Sequence, residues 1–398
     1  MTAAVPSLPS AHHALDHLHD TFRRWLSDGY DLAAIDATVA TAAAGKFGGD
    51  PLWLMLISGS GGAKTETVSS LLGGDAMLIS TISSEAALLT ATTPRKSTKN
   101  ATGGILRQIG EQGLLVIKDF TSIMSMPWQT RSTVLSALRE IHDGQWQRYV
   151  GFDGGHVLEW RGHLTIVAAC TTAWDFAHAV VGSMGDRFVI IRMNSEDHSQ
   201  RLLAAGQAAG NLGHEVEMRG ALQSAVRAVL AQVQPLNGFF MTGDESAYLN
   251  RLAVFVTRCR TAVEGNYRGE PVDVHASEHP GRFIKQLGQL LRGALSIGLT
   301  RRDALALVHR CAFDSIPPAR LAVMRELKGQ GRQTVATIAG WLNKVYPTTK
   351  NHLDGLALLG LVQKDELNPS DEDDQRVRRY YALNADVESV LTDEPPIC

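Results

Sequence analysis

The chain has 398 residues, of which 44% are hydrophobic and 20% are charged, and its formal net charge is −3. This length and composition predict a globular protein of two or three domains. No apolar run is long enough to span a bilayer and no secretory signal is evident, so neither membrane contact nor export is expected. The cysteines form no CxxC pair, which argues against a disulfide framework or a zinc site and favours a cytoplasmic protein. With this net charge, any nucleic acid must bind through local basic patches.

Two helices are predicted before the first strand. Residues 12–26 have the apolar period of an amphipathic helix, and residues 31–44 are rich in alanine. We group them as an N-terminal helical segment that covers residues 1–48.

A predicted phosphate-binding loop follows the first strand. Residues 52–57 form an apolar run that is typical of a parallel strand buried on both faces. The next residues have the GxxxxGK[ST] spacing, although serine and alanine replace its two glycines: Ser58, Gly59, Ser60, Gly61, Gly62, Ala63, Lys64 and Thr65. Glycines let backbone amides turn towards phosphate oxygens, and the following helix start adds a favourable dipole. We therefore expect Lys64 to neutralise the phosphates of ATP and Thr65 to ligate Mg²⁺.

A strand that ends in an acid is predicted over residues 113–120. Such a strand is the usual partner of a phosphate loop, because one carboxylate serves Mg²⁺ and a second orients the attacking water. Only Asp119 is present, and two registers are open. In the first register, Asp119 is the metal-side acid and Phe120 stands where the catalytic acid would be. In the second, Asp119 is the catalytic acid and Lys118 stands where the metal-side acid would be.

Two other acids are candidate substitutes for the missing carboxylate. Glu85 follows a second predicted strand over residues 76–82, and Glu66 lies beside the loop. Between the predicted strands over residues 76–82 and 113–120, residues 92–102 form a polar loop whose basic side chains either face DNA or are merely solvated: Arg95, Lys96 and Lys99.

A hairpin and two more strands complete the predicted core. Residues 145–160 alternate around Asp153-Gly154-Gly155, which is a strong hairpin signal. Residues 163–170 form a buried strand that ends at Thr171 and Thr172, whose hydroxyl groups could bond the attacking water or the γ-phosphate. Gly185-Asp186-Arg187-Phe188 then leads into a last strand over residues 189–192.

This order of elements resembles the ATPase core of AAA+ proteins, in particular the subgroup with a hairpin before the sensor strand. MCM replicative helicases and bacterial enhancer-binding transcription activators belong to that subgroup. The MCM type is similar in three details: an alanine before the loop lysine (Ala63), an acid followed by phenylalanine (Asp119), and an arginine followed by phenylalanine (Arg187). The resemblance covers residues 50–310 and the C-terminal domain.

The resemblance implies a fold, ligands and residue roles. The fold is α/β: a three-layer P-loop NTPase core with a parallel sheet over residues 49–195, and a helical lid over residues 196–315. ATP and Mg²⁺ would be the ligands, and the protein would assemble as an oligomer such as a hexameric ring. Asp119 would act at the metal or the water, and Thr171 or Thr172 would be the first sensor. Arg187 would reach a neighbouring subunit's γ-phosphate, and Arg282, at a helix start in the lid, would be a second sensor.

Residues 316–398 resemble a winged helix-turn-helix. Helices are predicted over residues 319–327, 334–342 and 348–359, and wing strands near residues 360–362 and 378–383. Polar residues at the start of the third helix and arginines on the wing are candidate DNA contacts: Thr348, Thr349, Lys350, Asn351, His352, Arg376, Arg378 and Arg379. The acidic wing tip, residues 371–374, counts against tight DNA binding, and such modules also dock proteins.

The leading hypothesis is an oligomeric ATP-driven DNA motor, such as a helicase, a translocase or a replication factor of a mobile element or phage-like system. The alternative is a DNA-binding transcriptional regulator with an ATP-sensing, weakly hydrolysing core, which the incomplete acid pair favours. A third hypothesis has the core remodel a partner protein.

Overall fold

The computed structural model of the chain describes residues 11–91, 103–151, 155–176, 187–193, 198–234, 241–367 and 378–396. Its strands are β1 Trp53–Ile57, β2 Met77–Ile79, β3 Gln112–Ile117, β4 Gln145–Val150, β5 His156–Arg161, β6 His163–Cys170, β7 Val189–Arg192, β8 Val263–Gly265, β9 Pro271–Val274, β10 Gln333–Thr334, β11 Val362–Leu367 and β12 Arg378–Leu383. Its α-helices are α1 Ala11–Leu26, α2 Leu32–Ala44, α3 Lys64–Ser69, α4 Glu85–Leu88, α5 Ile105–Ile109, α6 Thr121–Met124, α7 Trp128–His142, α8 Ala173–Phe176, α9 His198–Gly210, α10 Glu215–Leu230, α11 Gly243–Arg260, α12 Pro280–Ser296, α13 Arg301–Asp314, α14 Pro318–Leu327, α15 Val335–Trp341, α16 Tyr346–Leu358 and α17 Ala385–Thr392; a 3₁₀ turn covers Ser70–Gly74.

Five parallel strands form the central sheet, in the order β2-β3-β6-β1-β7. In the register, Ile57 lies between Cys170 of β6 and Arg192 of β7, and Ile117 of β3 lies beside Ala168. The carboxyl ends of β1, β3, β6 and β7 therefore meet at one edge of the sheet. The predicted strands over residues 163–170 and 189–192 are confirmed to the residue.

Alternate residues of the strands supply two hydrophobic cores, as the two-residue period of a strand requires. Leu54 and Leu56 face one core, which is completed by α2 and the helices of residues 215–316. Trp53 and Met55 face the other, which contains the apolar sides of α7 and of the β4–β5 hairpin. The sheet is thus covered on both faces, and a mixed α/β fold is confirmed.

Small residues let α2 and α12 pack closely. A Cβ on Gly293 of α12 would lie 2.1 Å from the carbonyl oxygen of Ala40, so only glycine fits there. This close approach fixes the direction of α12 across the core. No helix among the described residues is both long and apolar enough to cross a bilayer.

The predicted hairpin over residues 145–160 is confirmed by β4 and β5, which pair antiparallel with Tyr149 opposite Val157. Residues 152–154 of its predicted turn lie outside the described residues. The expectation that residues 196–315 are helical is wrong at one place, because β8 and β9 form a second antiparallel hairpin between α11 and α12. That hairpin is short and mostly exposed, so it lacks an apolar alternation that would reveal it.

The C-terminal part contains the three predicted helices, α14, α15 and α16. A three-stranded antiparallel sheet, in the order β10-β12-β11, packs beside them. The predicted strand over residues 378–383 is confirmed, whereas β10 and α17 were not predicted. Residues 368–377, with Arg376 and the acidic tip, lie outside the described residues.

Candidate functional site

The loop from Ser58 to Thr65 connects the end of β1 to the start of α3. Two of its residues, Gly61 and Ala63, have positive φ angles of 80° and 57°, which bend the chain back before the helix. Lys64 Nζ donates hydrogen bonds to the Ser58 carbonyl (3.0 Å), the Ser58 hydroxyl (3.0 Å) and the Gly59 carbonyl (2.5 Å). The ammonium group is therefore held inside the concave side of the loop, where a phosphate would meet it.

The loop is joined to the strand that precedes Thr171. The Ser58 amide donates to the Cys170 carbonyl (3.4 Å), and the Thr171 amide donates to the Thr121 hydroxyl (3.1 Å). Thr172 lines the cleft beside Ser58. The structure thus brings both predicted sensor threonines to the edge of the sheet that carries the loop. Thr121, which orients Thr171, was missed from the sequence because nothing distinguishes it there from any helix-start threonine.

Asp119 lies at the same edge, two residues after the end of β3. Its carboxylate is exposed and accepts hydrogen bonds from the Ser122 amide (3.4 Å) and hydroxyl. Burial lowers the pKa of Lys64, and the neighbouring Cys170 and Asp119 groups oppose that shift. Asp119 and Lys64 therefore lie at the same edge of the sheet.

Phe120 does not face the site. Its ring is fully buried and packs edge-on against Trp174 and Phe188, with centroids 5.9 Å and 5.4 Å away. An ionised glutamate at this position would enter an aromatic core, which explains physically why no acid follows Asp119.

The two candidate substitute acids are held in ion pairs by other elements. Glu66 is bound by Arg219 of α10, with an Nη2–Oε1 distance of 3.0 Å. Glu85 is bound by Arg148 of β4 at 3.1 Å. Each carboxylate is therefore better placed to link two elements than to activate water.

The loop opens onto a cleft of about 770 Å³ between the sheet edge, the α1–α2 connection and the helices α9, α13 and α14. An alternating network of arginines and acids lines it: Asp31, Asp175, Arg192, Arg310 and Asp314. The guanidinium group of Arg192 donates two bonds to Asp175 (3.0 and 2.7 Å), and Arg310 is paired with Asp31 (2.7 Å).

Sequence reasoning missed this network. Arg192 could have been found, because it is the last residue of a strand beside β1. Arg310 gives no such signal, because it lies in the middle of an ordinary lid helix and its partner Asp31 is far away in the chain.

Arg187 and Arg282 lie at the opposite edge of the sheet. Arg187 precedes β7, and its guanidinium group is 3.6 Å from the Asp143 carboxylate and only 11% exposed. Arg282 is paired with Glu278 (3.1 Å). Burial and the nearby charge of Arg282 lower the pKa of Arg187.

The structure places Arg282, the predicted second sensor, away from the loop of its own chain. Arg282 lines a cavity with Asp50 and His163, which precede β1 and begin β6, at the amino ends of the strands. Within one chain it does not reach the loop, because the loop follows the carboxyl end of β1. Gly185 and Asp186 lie outside the described residues.

Several of the candidate DNA contacts of the C-terminal part already bond to other residues of the chain. Thr349 is buried and its hydroxyl bonds to Val345 (3.2 Å), so it does not reach the surface. Lys350 is paired with Asp354 (2.9 Å), and Asn351 donates to the Gly269 carbonyl (3.1 Å).

Of the remaining candidates, Thr348 is exposed and Arg379 is paired with Glu366 (2.9 Å). Burial lowers the pKa of His352. The side chain of Arg378 and residues 92–102, with Arg95, Lys96 and Lys99, lie outside the described residues.

The residues of the loop fit a bound nucleoside triphosphate. Gly61 has open space around its Cβ position, and Lys64 already gathers three oxygen atoms as it would gather phosphate oxygens. Thr65 follows it and is exposed, and Asp119 lies at the same edge of the sheet, so these two residues are the candidate oxygen ligands for Mg²⁺. Within the described ranges, no group of three or more histidine, cysteine or acidic side chains could hold a metal ion by itself.

Comparisons with known proteins identify no family. No family model and no curated protein matches the sequence. Among solved structures, the chain is similar to "SCCmec type IV Cch - active helicase", with 10% identity, a TM-score of 0.34, and 98% of this chain and 75% of that chain covered. It is also similar to "The A form apo structure of NrS-1 C terminal region-CTR", with 10% identity, a TM-score of 0.27, and 96% and 76% covered. A superposition at this level assigns neither a family nor a function.

Proposed function

We propose that the protein is an ATP-hydrolysing motor of the AAA+ type that acts on DNA as an oligomer. One observation carries the proposal: the Ser58–Thr65 loop, Asp119 and Thr171 meet at the carboxyl edge of a parallel sheet in which β1 lies between β6 and β7. In this proposal the chain consists of an N-terminal segment (1–48), an ATPase core (49–195), a lid (196–315) and a winged helix-turn-helix (316–398).

The loop residues would bind the triphosphate. Lys64 would exchange its bonds to Ser58 and Gly59 for bonds to phosphate oxygens, and the amides of the loop would close around them. Thr65 and Asp119 would hold Mg²⁺, which supplies charge neutralisation at the transferred phosphoryl group. Thr171, fixed by Thr121, would orient the water or the γ-phosphate.

Arg187 and Arg282 would act on a neighbouring subunit. They lie at the amino edge of the sheet, whereas the loop lies at the carboxyl edge. A single chain therefore cannot bring these arginines and the loop to the same nucleotide. A head-to-tail assembly would place the amino edge of one subunit against the loop of the next, and rotation would close it into a ring. An arginine supplied in this way stabilises the charge of the transition state.

The C-terminal helices α15 and α16, with the strands β11 and β12, support DNA binding because a helix-turn-helix with a wing has this arrangement. The β4–β5 hairpin would contact DNA in the pore of the ring. Tyr149 on that hairpin is 77% exposed, which suits stacking on a base.

ATP turnover, measured with and without DNA, tests the proposal. We expect Lys64→Ala and Arg187→Ala each to abolish turnover, whereas Lys285→Ala, an exposed residue at the same edge as Arg187, keeps it. An equal mixture of the two inactive variants should recover about a quarter of the activity, because that fraction of interfaces joins an intact loop to an intact arginine in a randomly mixed ring. Turnover that ignores both substitutions would refute the proposal.

A second candidate function is a DNA-binding regulator whose core senses ATP with little hydrolysis. The specific observation in its favour is that Asp119 stands without a second acid, since Phe120 is buried and both Glu66 and Glu85 are held in ion pairs. It predicts DNA binding that depends on ATP while turnover stays negligible, which the same assay distinguishes from a motor.

A further inference from the structure

Helix α16 presents three different faces. One is buried in the C-terminal core and contains Thr349 and Leu353. A second faces the wing strands, where Asp354 is bound by Lys364 (3.0 Å) and by the hydroxyl group of Tyr381 (2.8 Å). The third, called the outer face here, contains Thr348, Asn351 and Gly355, which follow one another at helical spacing.

The β8–β9 hairpin lies on this outer face. Asn351 Nδ2 donates to the carbonyl oxygen of Gly269 at the hairpin tip (3.1 Å). A Cβ on Gly355 would be in ordinary contact with Val263 of β8 (3.8 Å) and Pro271 of β9 (4.0 Å). The hairpin is therefore seated on the helix along two of its turns.

Other contacts hold the C-terminal part in this position. Arg258 of α11 donates to the Leu359 carbonyl (3.0 Å) and is paired with Asp386 (2.8 Å). Arg320 of α14 donates to the carbonyl oxygens of Cys259 (2.6 Å) and Thr261 (2.7 Å), next to the start of β8. Helix α16 and the hairpin thus belong to one docked arrangement.

We propose that the β8–β9 hairpin is an internal cover over the DNA-reading face of α16, and that DNA binds only after the two separate. This inference rests on the proposed DNA-binding function. A recognition helix must place a bare outer face in the major groove, which is about 12 Å wide and admits little beyond the helix itself. The Asn351 side-chain amide donates its hydrogen bond to the Gly269 carbonyl, whereas in a DNA complex it would donate to an acceptor on a base edge.

A reversible cross-link tests the cover. Val263→Cys with Gly355→Cys, in a Cys398→Ser background, puts two cysteines across the contact. A Cγ atom of Val263, whose place a cysteine sulfur would take, lies 3.8 Å from the Cβ position of residue 355. The other three cysteines are buried. Binding to a labelled mixed-sequence DNA duplex is measured at low salt, where backbone contacts are strongest. The two single-cysteine variants are the matched controls.

Oxidation should weaken DNA binding of the double variant by at least about tenfold, because it removes the open state that binds. Dithiothreitol should restore the binding, which shows that the fold survived, and the single variants should not respond. Cross-linked protein that binds DNA as well as the reduced protein would overturn the cover alone. Failure of every form to bind DNA while ATP turnover persists would instead refute the DNA-binding proposal and the cover with it.

Discussion

Replacing Gly62 by alanine should weaken nucleotide binding through a single clash inside the loop. A Cβ on Gly62 would lie 2.4 Å from the Ser58 hydroxyl oxygen and 3.2 Å from the Ser58 Cβ. The backbone of Gly62 does not have a positive φ, so alanine adds no conformational strain of its own. The effect therefore isolates the contact with Ser58, the residue that stands where the phosphate-loop motif has glycine.

The size of the effect follows from what can move. Rotation of the Ser58 side chain takes its oxygen away but leaves the Cβ in place, and it breaks the bond from Lys64 Nζ (3.0 Å). Overpacking of this kind costs about 1–3 kcal/mol. The free loop can relieve it by opening away from Ser58, whereas bound phosphates must pull the loop back. A central value of about 2 kcal/mol then gives roughly 30-fold weaker ATP binding.

Titration with a fluorescent ATP analogue in the presence of Mg²⁺ measures this affinity. Ser58→Gly alone should bind close to the wild-type value, because the Ser58 carbonyl still holds Lys64. The double variant Ser58→Gly/Gly62→Ala should recover most of the loss, since the nearest atom left beside the new methyl group is the Gly59 carbonyl oxygen at 3.4 Å, an ordinary van der Waals distance. A double variant as weak as Gly62→Ala, or a Gly62→Ala protein that binds normally, would refute the reasoning.

Three further predictions concern the hairpin, the sensor and a buried imidazole. Arg148 joins the β4–β5 hairpin to Glu85 and to the Leu89 carbonyl (3.0 Å), so Arg148→Ala should reduce the increase in ATP turnover caused by DNA and spare the DNA-free rate; a lost DNA-free rate would contradict this role. Thr121→Val removes the acceptor of the Thr171 amide, so we expect turnover about five- to tenfold lower at unchanged ATP affinity, with Thr121→Ser close to wild type. Burial, and next the charge of Arg187, lowers the pKa of His142 to about 4. The unfolded chain therefore takes up a proton between pH 6.5 and pH 4 that the folded chain does not, and acidification from pH 7 to pH 5 should cost about 2 kcal/mol of stability. Denaturant unfolding should show an acid-induced loss of stability about 2 kcal/mol smaller in His142→Phe than in the wild type, because the other buried histidines contribute equally to both.

The parts of the fold that the sequence predicts best are those with uninterrupted apolar runs. Strands β6 and β7 were bounded to the residue, because each is a buried run that ends at a polar side chain. The β8–β9 hairpin was missed because its residues are largely exposed, and an exposed pair of short strands leaves no periodic pattern.

The position of Arg282 could not be predicted from the sequence, for a different reason. It marks the start of a lid helix, but the edge of the sheet at which that start lies depends on how α12 crosses α2. The crossing is set by the contact of Gly293 with the Ala40 backbone, which joins residues far apart in the chain. Arg310, by contrast, is held in the cleft by Asp31 of the N-terminal segment and by the Arg192 carbonyl, and both partners are far from it in the chain.

The two edges of the sheet now have complementary contents. The carboxyl edge carries the loop, Lys64 and Asp119, and the amino edge carries Arg187 and Arg282 with their acidic partners. In an isolated chain Asp143 and Glu278 neutralise the positive charges of the two guanidinium groups. A triphosphate from a neighbour would compete with those carboxylates, and the competition would make subunit contact depend on the γ-phosphate. The same geometry that leaves one chain incomplete would therefore let hydrolysis at one interface be felt at the next, as a ring motor requires.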